Sequence, residues 1–157
     1  MHIGKENGLS ENSIESLKMA SILHDIGKIS IPASILSKPG VLNEIEWKML
    51  ESHSMAGYEI LKKYKLPWPI ADIILQHHER IDGSGYPKKL KGNDIMIEAR
   101  IIAVADVIEA MSSHRPYRPA HTIKKALEEI ENNSGILYDQ KIAEVALILF
   151  REKGFKF

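Results

Sequence analysis

Apolar residues recur along this chain at spacings of three and four, interrupted by proline and glycine. No stretch alternates with the period of two that a half-buried strand needs. Ser10 reads as an N-cap with Glu11 in the first helical turn. Ile14, Leu17 and Ala20 then share one face of a helix reaching His24 and Asp25, with Gly27 as its stop. Residues 29–40, with Pro32 and Pro39, read as a connector. Asn43 and Glu46 have capping-box spacing and open a helix predicted to run through His53 toward Lys63. Pro67-Trp68-Pro69 breaks the chain before a helix over about 70–79. A glycine-rich turn, Asp82-Gly-Ser-Gly-Tyr-Pro87, follows. Further helices are expected over 97–112, 123–131 and, capped by Asp139, to about 152. The pattern predicts one domain over 1–157, an all-α, compact bundle of about six or seven helices.

The informative positions are polar residues where that pattern demands apolar ones. Ile70, Ile73 and Ile74 set a stripe whose next members are His77 and His78. Ala99, Ile102 and Ala103 set another that continues with Asp106. His53 falls on the inward face of its helix, and Asp25 sits beside His24 at the end of a mostly apolar one. Taken singly, each has an ordinary reading. A core histidine is usually a hydrogen-bonding residue, and an inward Asp can be an acceptor between helices. Lys88, Lys89 and Lys91 read as a solvated loop face. Together, five ligand-type residues on inward faces of four helices, plus His24, are better explained by a shared cation site. Mixed imidazole and carboxylate donors suit iron, manganese or zinc, and six donors exceed one tetrahedral ion, which points to two metals sharing a carboxylate.

Composition sharpens this. The chain has 157 residues, 44% of them hydrophobic, enough for a core. It has no cysteine, so any transition-metal site falls to carboxylates and the seven histidines. That also suits a reducing, cytoplasmic setting. Lys plus Arg and Asp plus Glu are 21 each, and a net charge of zero argues against a nucleic acid polymer as partner. The longest run without a charge is nine residues, 29–37, which argues against membrane insertion.

The ordered set His24-Asp25-Ile-Gly-Lys28, Lys38-Pro-Gly40, His53, His77-His78-Glu79-Arg80-Ile-Asp82-Gly-Ser-Gly85-Tyr86-Pro87, Arg100 through Asp106, and Arg115-Pro-Tyr-Arg118 resembles the HD-GYP domain, a branch of the HD phosphohydrolases. The likeness runs from about Leu9 to about Ala146. It implies an all-α, metal-dependent phosphodiesterase acting on cyclic di-GMP, with linear dinucleotide or GMP as product. By the resemblance, Asp25 bridges two divalent ions. His53, His77 and His78 complete one site, and His24 with Asp106 serve the other. Iron or manganese are the first expectation, with zinc, magnesium or nickel as alternatives. Lys28 matches a lysine near the scissile phosphate, Tyr86 a residue beside the guanine or phosphate, and Arg115 and Arg118 the ligand's phosphate holders. Two cations would neutralise the phosphodiester and activate a water, with Lys28 meeting charge on the leaving oxygen, and the arginine forks suit phosphate oxygens.

Two positions depart from that family. Its members carry another histidine on a helix well before the HD pair, and only 23 residues precede His24 here. A His114 stands where an acidic residue usually precedes the Arg-Pro-Tyr segment. The expectation is therefore a domain begun late, with the His24 and Asp106 side one protein ligand short. The apolar surface so exposed would then be covered by a protein partner or a second copy. Three readings follow: a cyclic di-GMP phosphodiesterase, a catalytically impaired metal-binding module that senses the dinucleotide or docks a partner protein, and an HD phosphohydrolase of another nucleotide.

Overall fold

The computed structural model describes residues 1–113 and 122–155. Among them nine α-helices and two 3₁₀ turns form the fold, without a strand. The helices are α1 (His2–Glu6), α2 (Glu11–Leu23), α3 (Ala33–Leu36), α4 (Glu44–Glu51), α5 (His53–Leu61), α6 (Ile70–Gln76), α7 (Ile97–Ser112), α8 (Ile123–Asn132) and α9 (Gln140–Arg151). The 3₁₀ turns are Ile26–Ser30 and Gly92–Asp94.

The predicted caps are present. The Ser10 side chain accepts from Ser13 N–H, Asp139 accepts from Ile142 N–H, and Asn43 with Glu46 forms the reciprocal capping box. Each side chain satisfies an amide that the helix leaves without a partner. Helix 97–112 falls where the pattern put it.

Three expectations are corrected. The connector over 29–40 contains the single-turn helix α3. The helix expected to run unbroken through His53 divides at Ser52. There the Ser52 hydroxyl donates to Met49 O at 2.6 Å, and the His53 ring takes Leu50 O at 2.6 Å. These side chains compete for the carbonyls a continuous ladder would use. The helix predicted to reach 79 ends at Gln76, leaving His77 as its cap and His78 beyond it. The short α1 and α3 and the division at Ser52 account for a larger helix count than six or seven.

The axis of the fold is α7, which packs against α2, α6, α8 and α9. Leu17, Ile70, Ile73, Ile74, Ile101, Val104, Ile108, Ile130 and Ile142 fill the space between these helices and are fully buried. Each such side chain contributes about 1.5–3 kcal/mol by leaving water. A second layer, α5 packed on both α6 and the turn Ile26–Ser30, carries the histidines. Among the described residues no helix is long and apolar enough to cross a membrane.

Candidate metal centre

Three helix ends supply the imidazoles. His24 caps α2, His53 opens α5 directly after α4, and His77 caps α6. Carbonyls in the last turn of a helix lack ladder partners. Each of these rings takes one, three residues back. Nδ1 of His24 donates to Ser21 O at 2.8 Å, Nδ1 of His53 to Leu50 O at 2.6 Å, and Nδ1 of His77 to Ile74 O at 2.5 Å. A carbonyl can only accept, so the proton is assigned to Nδ1 in all three.

Burial pushes His77 down to about 3 and lowers His53 as well. His78 is held well below the ordinary imidazole value, by burial first and then by its neighbour His77. All three are neutral at pH 7, so Nε2 of His53 and His77 is a bare lone pair. Yet His53 Nε2 lies 3.3 Å from His77 Nε2 and 3.1 Å from His78 Nε2. Ligand nitrogens about 2.1 Å from a common ion, at tetrahedral or octahedral angles, stand about 3.0–3.4 Å apart. The trio therefore fits a divalent cation of borderline softness, with backbone carbonyls fixing two of the rings from behind.

Asp25 stands between this trio and His24. Its Oδ1 lies 3.6 Å from His53 Nε2, while Oδ2 lies 3.4 Å from His24 Nε2 and 2.6 Å from Lys28 Nζ. One oxygen thus faces each side, as a bridging carboxylate requires. Burial would raise its pKa, but hydrogen bonds from His24 and Lys28 outweigh that and hold Asp25 well below the usual carboxylate range. At His24 burial works against the charge and loses to the Asp25 contact, so that imidazole is raised.

The approach of Asp25 to His53 depends on Gly27. A Cβ there would stand 1.8 Å from His53 O and 2.5 Å from Gly57 N, so only glycine lets the turn press onto α5. On the far side of His24, α7 brings Asp106, with Oδ1 at 3.9 Å from His24 Nε2. Between them opens a cavity of about 260 Å³, whose polar lining is Ser21, His24, Asp25, Asp106 and Glu109.

The fold thus gathers all six residues predicted as ligands, with Lys28 beside them. Tyr86 is half-buried and stacks on His78, ring centroids 4.8 Å apart at 27°. Burial, ahead of any charge, raises its phenol. Arg115, Arg118 and His114 lie outside the described residues. Two acidic residues were not foreseen. Glu109 follows Asp106 by one helical turn, a spacing that could have flagged it. Glu79 directly follows the inward-facing histidine pair and is 2% exposed.

Comparison with known proteins identifies the family. Residues 1–142 match the family described as HD domain. The chain belongs to that family, in its HD-GYP branch. A cyclic di-GMP phosphodiesterase from Thermotoga maritima is 44% identical over 152 residues, 96% of this chain and 41% of that protein. A 3'3'-cGAMP-specific phosphodiesterase 2 from Vibrio cholerae is 42% identical, over 89% of this chain and 27% of that protein. The HD-GYP domain described here therefore spans less than half the length of either relative. Among solved structures, an HDG"Y"P protein from Bdellovibrio bacteriovorus shares the fold with a TM-score of 0.77 at 16% identity, over 96% of this chain and 48% of that one.

Proposed function

We propose that this HD-GYP domain hydrolyses a cyclic dinucleotide, cyclic di-GMP first, using two divalent metal ions, iron or manganese. The observation that carries the reading is the pair of unprotonated nitrogens, His53 Nε2 and His77 Nε2, held 3.3 Å apart beside a carboxylate that faces two ways. His53, His77, His78 and Asp25 would hold one ion. His24, Asp25 and Asp106, which line the cavity, would hold the other. When bound, such ions neutralise a phosphodiester and supply a nucleophilic water at neutral pH.

The chain's own groups do the rest. Asp25 keeps both sides in register because its low pKa leaves it ionised throughout the working range. Lys28, with its ammonium 2.6 Å from Asp25 Oδ2, would meet the charge that develops on the departing ribose oxygen. The Asp25 contact fixes the direction of a side chain that otherwise has many rotamers. The names of the relatives, one acting on cyclic di-GMP and one on 3'3'-cGAMP, support the class of substrate.

The test is a metal count per protomer followed by hydrolysis assays with manganese or ferrous iron. Cyclic di-GMP, 3'3'-cGAMP and mononucleotides are compared in parallel. Turnover of cyclic di-GMP above the others is expected. Binding without turnover at full metal loading would make the chain a sensor module instead, and hydrolysis of mononucleotides alone would move it to another branch of nucleotide chemistry.

A further inference from the structure

The third imidazole of the trio is held differently from its neighbours. His24, His53 and His77 each have a carbonyl behind Nδ1, whereas among the described residues the hydrogen bonding of His78 is through its Nε2, facing His53. The His78 ring packs against His77 at 3.9 Å and His53 at 4.9 Å, and from outside the imidazole cluster it meets the face of Tyr86, stacked at 4.8 Å and 27°. Tyr86 is itself placed by the loop it belongs to. Its N–H donates to His78 O at 3.3 Å, and Gly85 lies so close to the start of the loop that a Cβ would stand 2.5 Å from Glu79 Cα.

Glu79 closes that loop. Its carboxylate is buried, and each oxygen accepts a backbone amide from the far end, Lys88 N–H at 2.6 Å and Leu90 N–H at 3.1 Å. No side-chain cation pairs with it among the described residues. A buried carboxylate is costly unless hydrogen-bonded, and amide donors aimed at both oxygens make it a strong fastener. A merely loop-forming residue could be a short surface Asx turn, as Asp82 is for Ser84, with N–H at 2.9 Å. Glu79 instead is a buried carboxyl group, one residue after His78.

We infer that Glu79 is a positioning residue: it latches residues 79–90 so that the Tyr86 ring holds His78 in its ligating orientation. The inference rests on the reading that His53, His77 and His78 hold a divalent ion.

Cobalt(II) is the probe. The metal-free chain, Glu79→Gln, His78→Ala and the double variant are titrated with it, following visible absorption and chelator competition. Glutamine keeps the size but presents an amide donor to one of the two backbone N–H groups. The expected result is a loss of cobalt affinity of about tenfold in Glu79→Gln, within the range for groups that orient metal ligands. In the His78→Ala background the same change should cost less than twofold, because the residue it acts through is gone. No loss in the otherwise native chain, or an equal loss in both backgrounds, overturns the latch while leaving the metal reading standing. No cobalt binding by the native chain overturns both. Should Glu79→Gln fail to fold by circular dichroism, Tyr86→Phe and Tyr86→Ala replace it. Phe is expected to retain affinity within twofold, and Ala to lose about tenfold only while His78 is present. Equal losses for Phe and Ala, or a loss with Ala that persists without His78, overturn the stacking role and the latch with it.

Discussion

His53 Nε2 stands 3.3 Å from His77 Nε2, and neither nitrogen carries a proton that would make the pair a hydrogen bond. Each ring has committed its only proton to a carbonyl on its other edge. Two lone pairs aimed at one another repel, and a cation reverses the sign of that interaction. Removing either ring should therefore cost far more metal than charge counting suggests. His77→Ala is expected to abolish metal retention through gel filtration, and His53→Ala to do the same. Metal content per protomer by mass spectrometry is the check, and an unchanged content in His77→Ala would sink the assignment.

The same burial predicts how the metal-free chain responds to acid. His77, His53 and His78 have folded-state pKa values below the ordinary 6.5, with His77 at about 3. As pH falls from 6.5 the unfolded chain takes up protons at these rings before the folded chain does. Stability must then fall with falling pH, at up to about 1.4 kcal/mol per pH unit for each ring that stays neutral. His24 has the opposite sign: its raised pKa gives stability that is complete below 6.5 and lost only as pH rises through the folded value. Asp25, lowered from 3.8, contributes above that pH and is lost only on further acidification. The window from pH 6.5 to about 5 lies above the unfolded values of the carboxylates, Glu46 and Glu131 included, so the buried trio dominates it. Urea midpoints measured across it should drop steadily in the metal-free chain, and His77→Gln should flatten the slope.

Much of this site was legible because helical periodicity turns burial into a sequence signal. His77, His78 and Asp106 betrayed themselves by occupying core positions on the stripes of Ile70 and Ala99. The caps at Ser10, Asn43 and Asp139 were legible for a local reason, since each contact closes within three residues. What did not show was the repeated device that fixes the tautomers. His24, His53 and His77 each take a carbonyl three residues back, one left open where a helix stops. The stops at Ser52 and Gln76 come from side chains competing for backbone acceptors, which periodicity does not encode. Glu79 was hidden for a different reason. Its partners, Lys88 and Leu90, lie nine and eleven residues away, and they are backbone amides, which leave no mark on the choice of side chain.

Lys28 gives a prediction that separates chemistry from binding. Its ammonium donates to Asp25 and, having no lone pair, does not ligate a metal. Lys28→Met should keep metal content and lower kcat on a cyclic dinucleotide about a hundredfold, the range for a group that serves a developing charge. With bis(4-nitrophenyl) phosphate the leaving group is already a weak base, so the loss should shrink to severalfold. Equal losses on both substrates would assign Lys28 to holding Asp25 rather than to the leaving oxygen.

Gly27 ties the stability of the fold to the geometry of the centre. The turn Ile26–Ser30 and α5 approach so closely that a single methyl at residue 27 would overlap His53 O and crowd Gly57 N. Both obstacles are backbone, so neither can rotate away as a flexible side chain would. The turn must then lift from α5, and Asp25, two residues before Gly27, must lift with it. Its Oδ1 would leave the 3.6 Å approach to His53 Nε2 on which a shared carboxylate depends. Gly27→Ala is expected to cost about 3 kcal/mol, at the upper end for overpacking a tight contact. In a chain of this size that lowers Tm by roughly 10 °C. Metal binding should suffer in the same variant, whereas Gly40→Ala changes a residue with nothing within 4 Å of its Cβ position and φ of +90°. That control carries local backbone strain without touching the centre, so it should lower Tm slightly and leave metal content intact. Scanning calorimetry with metal analysis on the two variants checks the pairing, and a Gly27→Ala chain that melts early yet keeps its full metal content would uncouple the turn from the site.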